Sequence, residues 1–364
     1  MDPHHFDTFV RSLTRVASRR VLVTSLIGGI LAALPGWSPE ESAAKKGKKG
    51  KKGKKGKKKK TSKCKPSQEK CGKACCNAGQ SCIAGTCLGA CQFTIDDDLK
   101  TKMLQADCTT TATIPVEDGF TLEGDGKTIH MAGPVSGYQS VTVANTAVRA
   151  GVLIQNGTGS VKNVTIDQDA LECGGAQAHS AIVLAKGEGD IESVEIVVTK
   201  DDLQCYRGID AEVAANNDPV NVRSVTITGG HTRAMAISGP TPNDGSSLVT
   251  GEIRDCTISD AFFGMLLNAT KHQIIGNAVN ASLGILVGVF PSNVLTDDNT
   301  ITGLTGATNA AGILYNPDTK GTVSNNAVSG FSCGISIQTN PGDVALSGNT
   351  FPEPENSSDL CFAT

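Results

Sequence analysis

Two stretches of this chain, DQDALECGG and TKDDLQCYRG, gather acids, a phenol and a guanidinium at short spacing. The first supplies Asp167, Asp169 and Glu172, the second Asp201, Asp202, Tyr206 and Arg207, and His179 lies between them. Carboxylates clustered beside an arginine can hold a calcium ion and a uronate, or share the roles of general acid and base in cleaving a glycosidic bond. The plainer reading, solvated loop acids around a stabilising disulfide, is preferred, because no longer motif supports the chemistry. No cofactor and no metal site are expected; Ca2+ would enter only with a polysaccharide lyase. GDGKT at 124 to 128 is a turn and not a phosphate-binding loop, since Thr121 stands where the first glycine would have to be.

Charge divides the chain in two. Residues 1 to 90 hold 20 Lys/Arg against 5 Asp/Glu, a net +15, and residues 91 to 364 hold 13 against 31, a net -18. Fields of opposite sign imply separate partners for the two parts, or a basic tail lying on its own acidic body. The basic excess centres on twelve Lys and four Gly between Lys45 and Lys60. Such a tract repels itself and gains backbone freedom from glycine, so residues 45 to 63 are expected to be a solvated, disordered linker.

Thirteen cysteines are too many for a reduced compartment, and seven of them fall between Cys64 and Cys91. An export signal is therefore expected in residues 1 to 44. Ser18, Arg19 and Arg20 precede an apolar run from Val21 to Leu34, which is short for a permanent anchor. The paired Arg19 and Arg20, followed by Leu22, resemble a twin-arginine signal, although Val21 and Val23 replace its usual Phe and Lys; Ser42 to Ala44 would be the cleavage site. Export removes the main argument for nucleic acid as a partner of the lysine tract. Anionic cell-envelope polymers or lipid headgroups are expected instead.

Residues 64 to 91 are too few to bury a core without staples. Cys64, Cys71, Cys75, Cys76, Cys82 and Cys87 allow fifteen pairings, and spacing alone does not choose among them. Zinc is disfavoured by the lack of a C-x2-C or a histidine in this stretch. The adjacent Cys75 and Cys76 resemble the centre of an inhibitor-type cystine knot, which implies Cys64 with Cys76, Cys71 with Cys82 and Cys75 with Cys87. Cys91 has Cys108 as its nearest mate.

The remainder, residues 92 to 364, is read as one domain that repeats itself from about Cys108 onward. Units such as VKNVTI, IESVEI, NVRSVTI, EIRDCTI and VSNNAV align on Ile166, Ile196, Ile227, Ile258, Val279, Ile301, Val328 and Phe351. Most units continue into a second strand opened by a small residue, as in GIDA, AMAI, GMLL and GILV. Apolar alternation of period two, with no long helical pattern, predicts strands wound into a coil whose stacked turns bury one another's inner faces. Two residues before the anchors, Asn277, Asn299, Asn326 and Asn349 share one column and are expected to form an amide ladder. Cys173 and Cys205 occupy one corner of consecutive units and should be joined; Cys333 with Cys361 would pin the end, leaving Cys256 buried and free.

These repeats resemble the right-handed parallel β-helices of the pectate-lyase-like superfamily. The fold class implied is all-β, a right-handed solenoid of roughly 8 to 10 coils behind a disulfide-rich module. The superfamily's enzymes cleave acidic polysaccharides, but their signatures match poorly here. Asp297 to Thr300 echo one polygalacturonase motif, Gly229 to His231 read GGH instead of GHG, and R-x-K is missing. The acidic body repels polyuronates unless divalent ions intervene, and the only Trp, Trp37, lies in the signal. Hence the expectation is an exported, envelope-associated monomer with a structural, adhesive or glycan-binding role, in which neutral glycans could meet polar ladders. A lyase or glycoside hydrolase using the 167 to 207 corner is the alternative.

Overall fold

A computed structural model describes residues 64–65, 68–173, 177–200, 205–213, 219–239, 248–288, 291–304, 310–352, 356 and 358–362. Arg19, Arg20 and the lysine tract lie outside these residues, as do Asp201 and Asp202. Lys63–Thr364 forms one unit in which strands stack coil upon coil.

The parallel β-helix has three faces. Sheet A includes Thr101–Leu104, Glu188–Glu192, Val220–Arg223, Thr270–Ile275 and Ser292–Asp297; sheet B includes Cys108–Thr110, Glu195–Val198, Thr226–Gly229, Thr300–Gly303 and Ala327–Ser329. Sheet C runs through Ala178–Ala185, Tyr206–Glu212, Arg233–Ser238, Ala311–Tyr315 and Cys333–Ile337. Phe120–Pro134 and Thr158–Glu172 bend from A into B, and Thr257–Asn268 and Ala278–Val287 from B into C.

Register follows the sequence repeat. Ile129, Ile166, Ile196, Ile227, Ile258, Val279, Ile301 and Val328 pair one above the next, all buried. On sheet C the inner column is Ile182, Ile209, Met235, Met265, Ile285, Ile313 and Ile335. A coil alone exposes these side chains; stacking buries them, at about 25 cal/mol per Å² of apolar surface.

The A-to-B corner is made the same way in successive coils. A residue at positive φ makes the turn: Gly126 (with Asp125 before it), Asn163, Ser193, Ser224, Asp255, Gly276, Asp298, Asn325 and Gly348. Asn, Asp and Gly tolerate this left-handed conformation, which turns the chain within a single residue. The following column carries the asparagine ladder. Asn277 Nδ2 donates to Asn299 Oδ1 (2.9 Å), Asn299 Nδ2 to Asn326 Oδ1 (2.8 Å) and Asn326 Nδ2 to Asn349 Oδ1 (3.0 Å). Cys256, buried and free, sits at the head of the ladder and gives its N–H to Asn277 Oδ1.

Six disulfides staple the unit, the mark of a chain that folds where thiols oxidise. Cys91–Cys108, Cys173–Cys205 and Cys333–Cys361 are joined. In the small module the pairing implied by a cystine knot is corrected. Cys71 does join Cys82, but Cys64 joins Cys75 and Cys76 joins Cys87. The reason is strand geometry: Cys75 and Cys76 lie on the strand Ala74–Cys76, paired antiparallel with Glu69–Cys71, so their side chains point to opposite faces. Cys76 turns inward beside Cys71, both fully buried, and meets Cys87; Cys75 is left on the Cys64 side. The three sulfurs of Cys71, Cys76 and Cys87 that crowd within 4.8 Å are thus disulfide sulfurs.

Two described elements depart from the parallel repeat: Phe93–Asp96 pairs antiparallel with Thr101–Leu104 at the start of the solenoid, and a second lies on sheet C. Gln139–Val143 folds back antiparallel on Thr146–Gln155 through a two-residue turn, Ala144 and Asn145, both at positive φ as such hairpins require. It seals the outside of sheet C with a second apolar cluster that includes Val141, Val143, Leu153 and Val183.

Candidate functional site

The acidic corner lies where sheet B turns into sheet C. Alternation at the end of Thr158–Glu172 sends Asp167 and Asp169 outward and Gln168 inward. Asp167 Oδ2 meets His130 Nδ1 at 2.7 Å, and its Oδ1 accepts the Asp169 N–H at 2.8 Å. Burial opposes ionisation of Asp167, but these hydrogen bonds and the nearby His130 and Lys200 outweigh it and hold the carboxyl below its ordinary range. Asp169 accepts from both the N–H and the hydroxyl of Thr199 on the next coil. Lys200 Nζ donates to Leu171 O at 3.0 Å, and the buried Tyr206 hydroxyl reaches the same carbonyl. Glu172 is exposed beside Cys173.

Arg207 belongs to a different group. Ser180, Arg207 and Arg233 stand in register on three consecutive coils of sheet C, around Asp210. Ser180 Oγ donates to Asp210 Oδ2 at 2.5 Å, Arg207 Nη1 lies 3.4 Å from the same oxygen, and Arg233 Nη2 lies 3.2 Å from Oδ1. Asp210 is 1% exposed; burial opposes its charge, yet Arg233 and Arg207 prevail and hold the carboxyl below the usual range.

Inside the coil, a third group was not anticipated. Gln168, His179 and His231 are fully buried, and Gln168 joins the two histidines: its Nε2 lies 3.0 Å from His179 Nδ1 and its Oε1 3.2 Å from His231 Nε2. Tyr138 packs its edge on His179, with ring centroids 4.6 Å apart. Desolvation pushes His179 down to about 3 and His231 to about 4, so both imidazoles are neutral at pH 7. The signal available in the sequence was Gln168 itself, an amide at an inward position between two outward aspartates.

No family model, no curated protein and no solved structure matches the chain. Its chemistry therefore has to be read from its own geometry. The corner brings Asp167 and Asp169 together, but each already holds a structural partner: His130 for the first, Thr199 for the second. Arg207 faces Asp210 rather than either of them. What the arrangement does best is fasten coils to one another, with Asp169 tying to Thr199, Asp210 bridging three coils, and Cys173 joined to Cys205.

The outer faces differ in how their polar groups are used. On sheet A, Lys162, Glu192, Arg223 and Arg254 stack in one column. Lys162 pairs with Glu192 at 3.1 Å, while Arg223 bridges Asp190 and Glu252. These exposed pairs add little stability each. On sheet B, from Thr226 onward, the outward residues are Thr, Ser, Asn and Ala.

Proposed function

We propose that this is an exported, cell-envelope-associated β-helix whose role is structural, adhesive or glycan-binding and not catalytic. The observation that carries the reading is the use made of the acidic corner, where Asp167 and Asp169 serve as ties between coils, in a scaffold stapled at its start, middle and end by disulfides. The lysine tract between the signal and the disulfide module is then a tether to anionic wall polymers or lipid headgroups, attracted from outside the membrane.

Two measurements test it. Deleting residues 45 to 60 should release the protein from intact envelopes, and raising salt should do the same to the wild type. Retention unchanged by both would remove the tether. Incubating the purified protein with neutral and acidic polysaccharides, with and without calcium, should give no new reducing ends or unsaturated products. Turnover abolished by Asp201→Ala or Arg207→Ala would replace this reading with that of a polysaccharide lyase or glycoside hydrolase.

A further inference from the structure

Sheet B presents two outward columns along four consecutive coils. The first is Thr226, Thr257, Ala278 and Thr300; in the second, two residues further along, Thr228 pairs with Ser259 and Asn280 with Thr302, the two pairs being offset by a bulge at Ser259 and Asp260. Adjacent coils are about 4.8 Å apart and alternate residues along a strand about 6.7 Å, so polar groups recur at regular intervals on either side of that bulge. Thr257, Ala278 and Thr300 are exposed, and the second column is half-buried.

Three properties set this strip apart. Its side chains carry no charge, in contrast to the ion-paired face of sheet A. Its hydroxyls and the Asn280 amide make no side-chain hydrogen bond within the described residues, whereas polar groups elsewhere on the solenoid bind one another across coils. Its edges carry Asp255, Asp260 and Asp298, all exposed. An anionic ligand would meet those acids and a body at -18, whereas a neutral one docks without burying an unpaired charge.

From these properties we infer that the outer face of sheet B is a binding strip for a neutral, unbranched polysaccharide lying along the solenoid axis. The hydroxyls and amide exchange hydrogen bonds with successive sugar hydroxyls, and the threonine methyls and Ala278 meet the sugar C–H surfaces. β-Branched threonines on paired strands are already fixed at χ1, so binding orders little that was mobile. This inference rests on the glycan-binding form of the proposed function and names its ligand class and its face.

The test is affinity electrophoresis of the full chain through gels containing hydroxyethylcellulose, linear mannan or polygalacturonate, in salt high enough to screen the lysine tract. At least one neutral polymer should retard the protein. Thr257→Arg/Thr300→Arg should weaken that retardation at least tenfold and Thr257→Ala/Thr300→Ala severalfold, whereas Gln273→Arg/Thr322→Arg on sheet A should not change it. The inference is overturned if no neutral polymer retards the chain, if only polygalacturonate does, or if the sheet A and sheet B variants behave alike. Failure here leaves the tether measurement untouched, because envelope release on deleting residues 45 to 60 does not involve sheet B.

Discussion

Asn326 Oδ1 accepts two hydrogen bonds from Asn299, one from its backbone N–H at 3.0 Å and one from its amide at 2.8 Å. Asn299 in turn receives the same pair from Asn277 and donates to the carbonyls of Ile274 and Asp297. A single buried side chain thus satisfies groups on three coils. Asn299→Ala should leave the Asn277 N–H without its acceptor and remove the amide donor from the Ile274 carbonyl, while the Asn277 amide keeps its bond to the Ile253 carbonyl. At about 1–3 kcal/mol for each buried orphan, the loss should reach about 2 kcal/mol or more. Urea unfolding should show it as a lowered midpoint, and Asn349→Ala, at the less buried end of the ladder, should cost less.

Asp210 offers a second test. It neutralises Arg207 and Arg233, whose side chains are only 14% and 18% exposed. Asp210→Asn keeps the shape and removes the charge, and should destabilise the chain by about 3 kcal/mol, in the range for breaking a buried pair. The sign with pH follows from the lowered carboxyl: its stabilisation is present above the ordinary aspartate range and is lost as pH falls through the folded value. Wild type and variant should therefore converge in stability in strong acid; a constant gap down to pH 2 would assign the effect to shape alone.

Three buried histidines govern mild acid. His179 titrates at about 3, and His231 and His272 at about 4, against an ordinary 6.5. Between those values the unfolded chain binds protons that the folded one excludes, so stability falls as pH drops from 6.5 toward 4. Each histidine contributes about 1.4 kcal/mol per pH unit at most. Urea midpoints at pH 7, 6 and 5 should decline steeply, and His272→Gln should make the decline shallower.

The Cys173–Cys205 bridge closes a loop of 32 residues between consecutive coils. Replacing both cysteines with serine should cost about 3 kcal/mol through the freedom regained by the unfolded chain. Thermal unfolding should shift down accordingly. Thiol titration of the wild type should find one reactive sulfur in denaturant and none in the native state, because Cys256 is the free cysteine, buried, with its thiol pushed up to about 11.

The repeat made most of the fold legible. Ile166, Ile196, Ile227 and Ile258 recur with the same neighbours, and stacking is the only way short apolar strands of that spacing bury one face. The asparagine column could be read for the same reason: equal register in sequence becomes vertical contact in space. The hairpin at Gln139–Val143 was not legible, because Ala144 and Asn145 give a weak turn signal and the strand covers an outer face that the repeat leaves undefined.

Composition and repetition by themselves determined a disulfide-stapled solenoid with an acidic body, a basic N-terminal stretch and an amide ladder. Only the tertiary structure decided which partner each polar group takes. Cys75 and Cys76 are neighbours in sequence, but a strand points them apart, and so the knot pairing gave way to Cys64–Cys75 and Cys76–Cys87. Coil stacking sets Arg207 against Asp210 and beside Arg233, 26 residues onward. Sequence fixes the period of a solenoid through burial, which is summed over many coils; hydrogen-bond partners depend on the face and height of a single side chain, and those exist only once the coils are stacked.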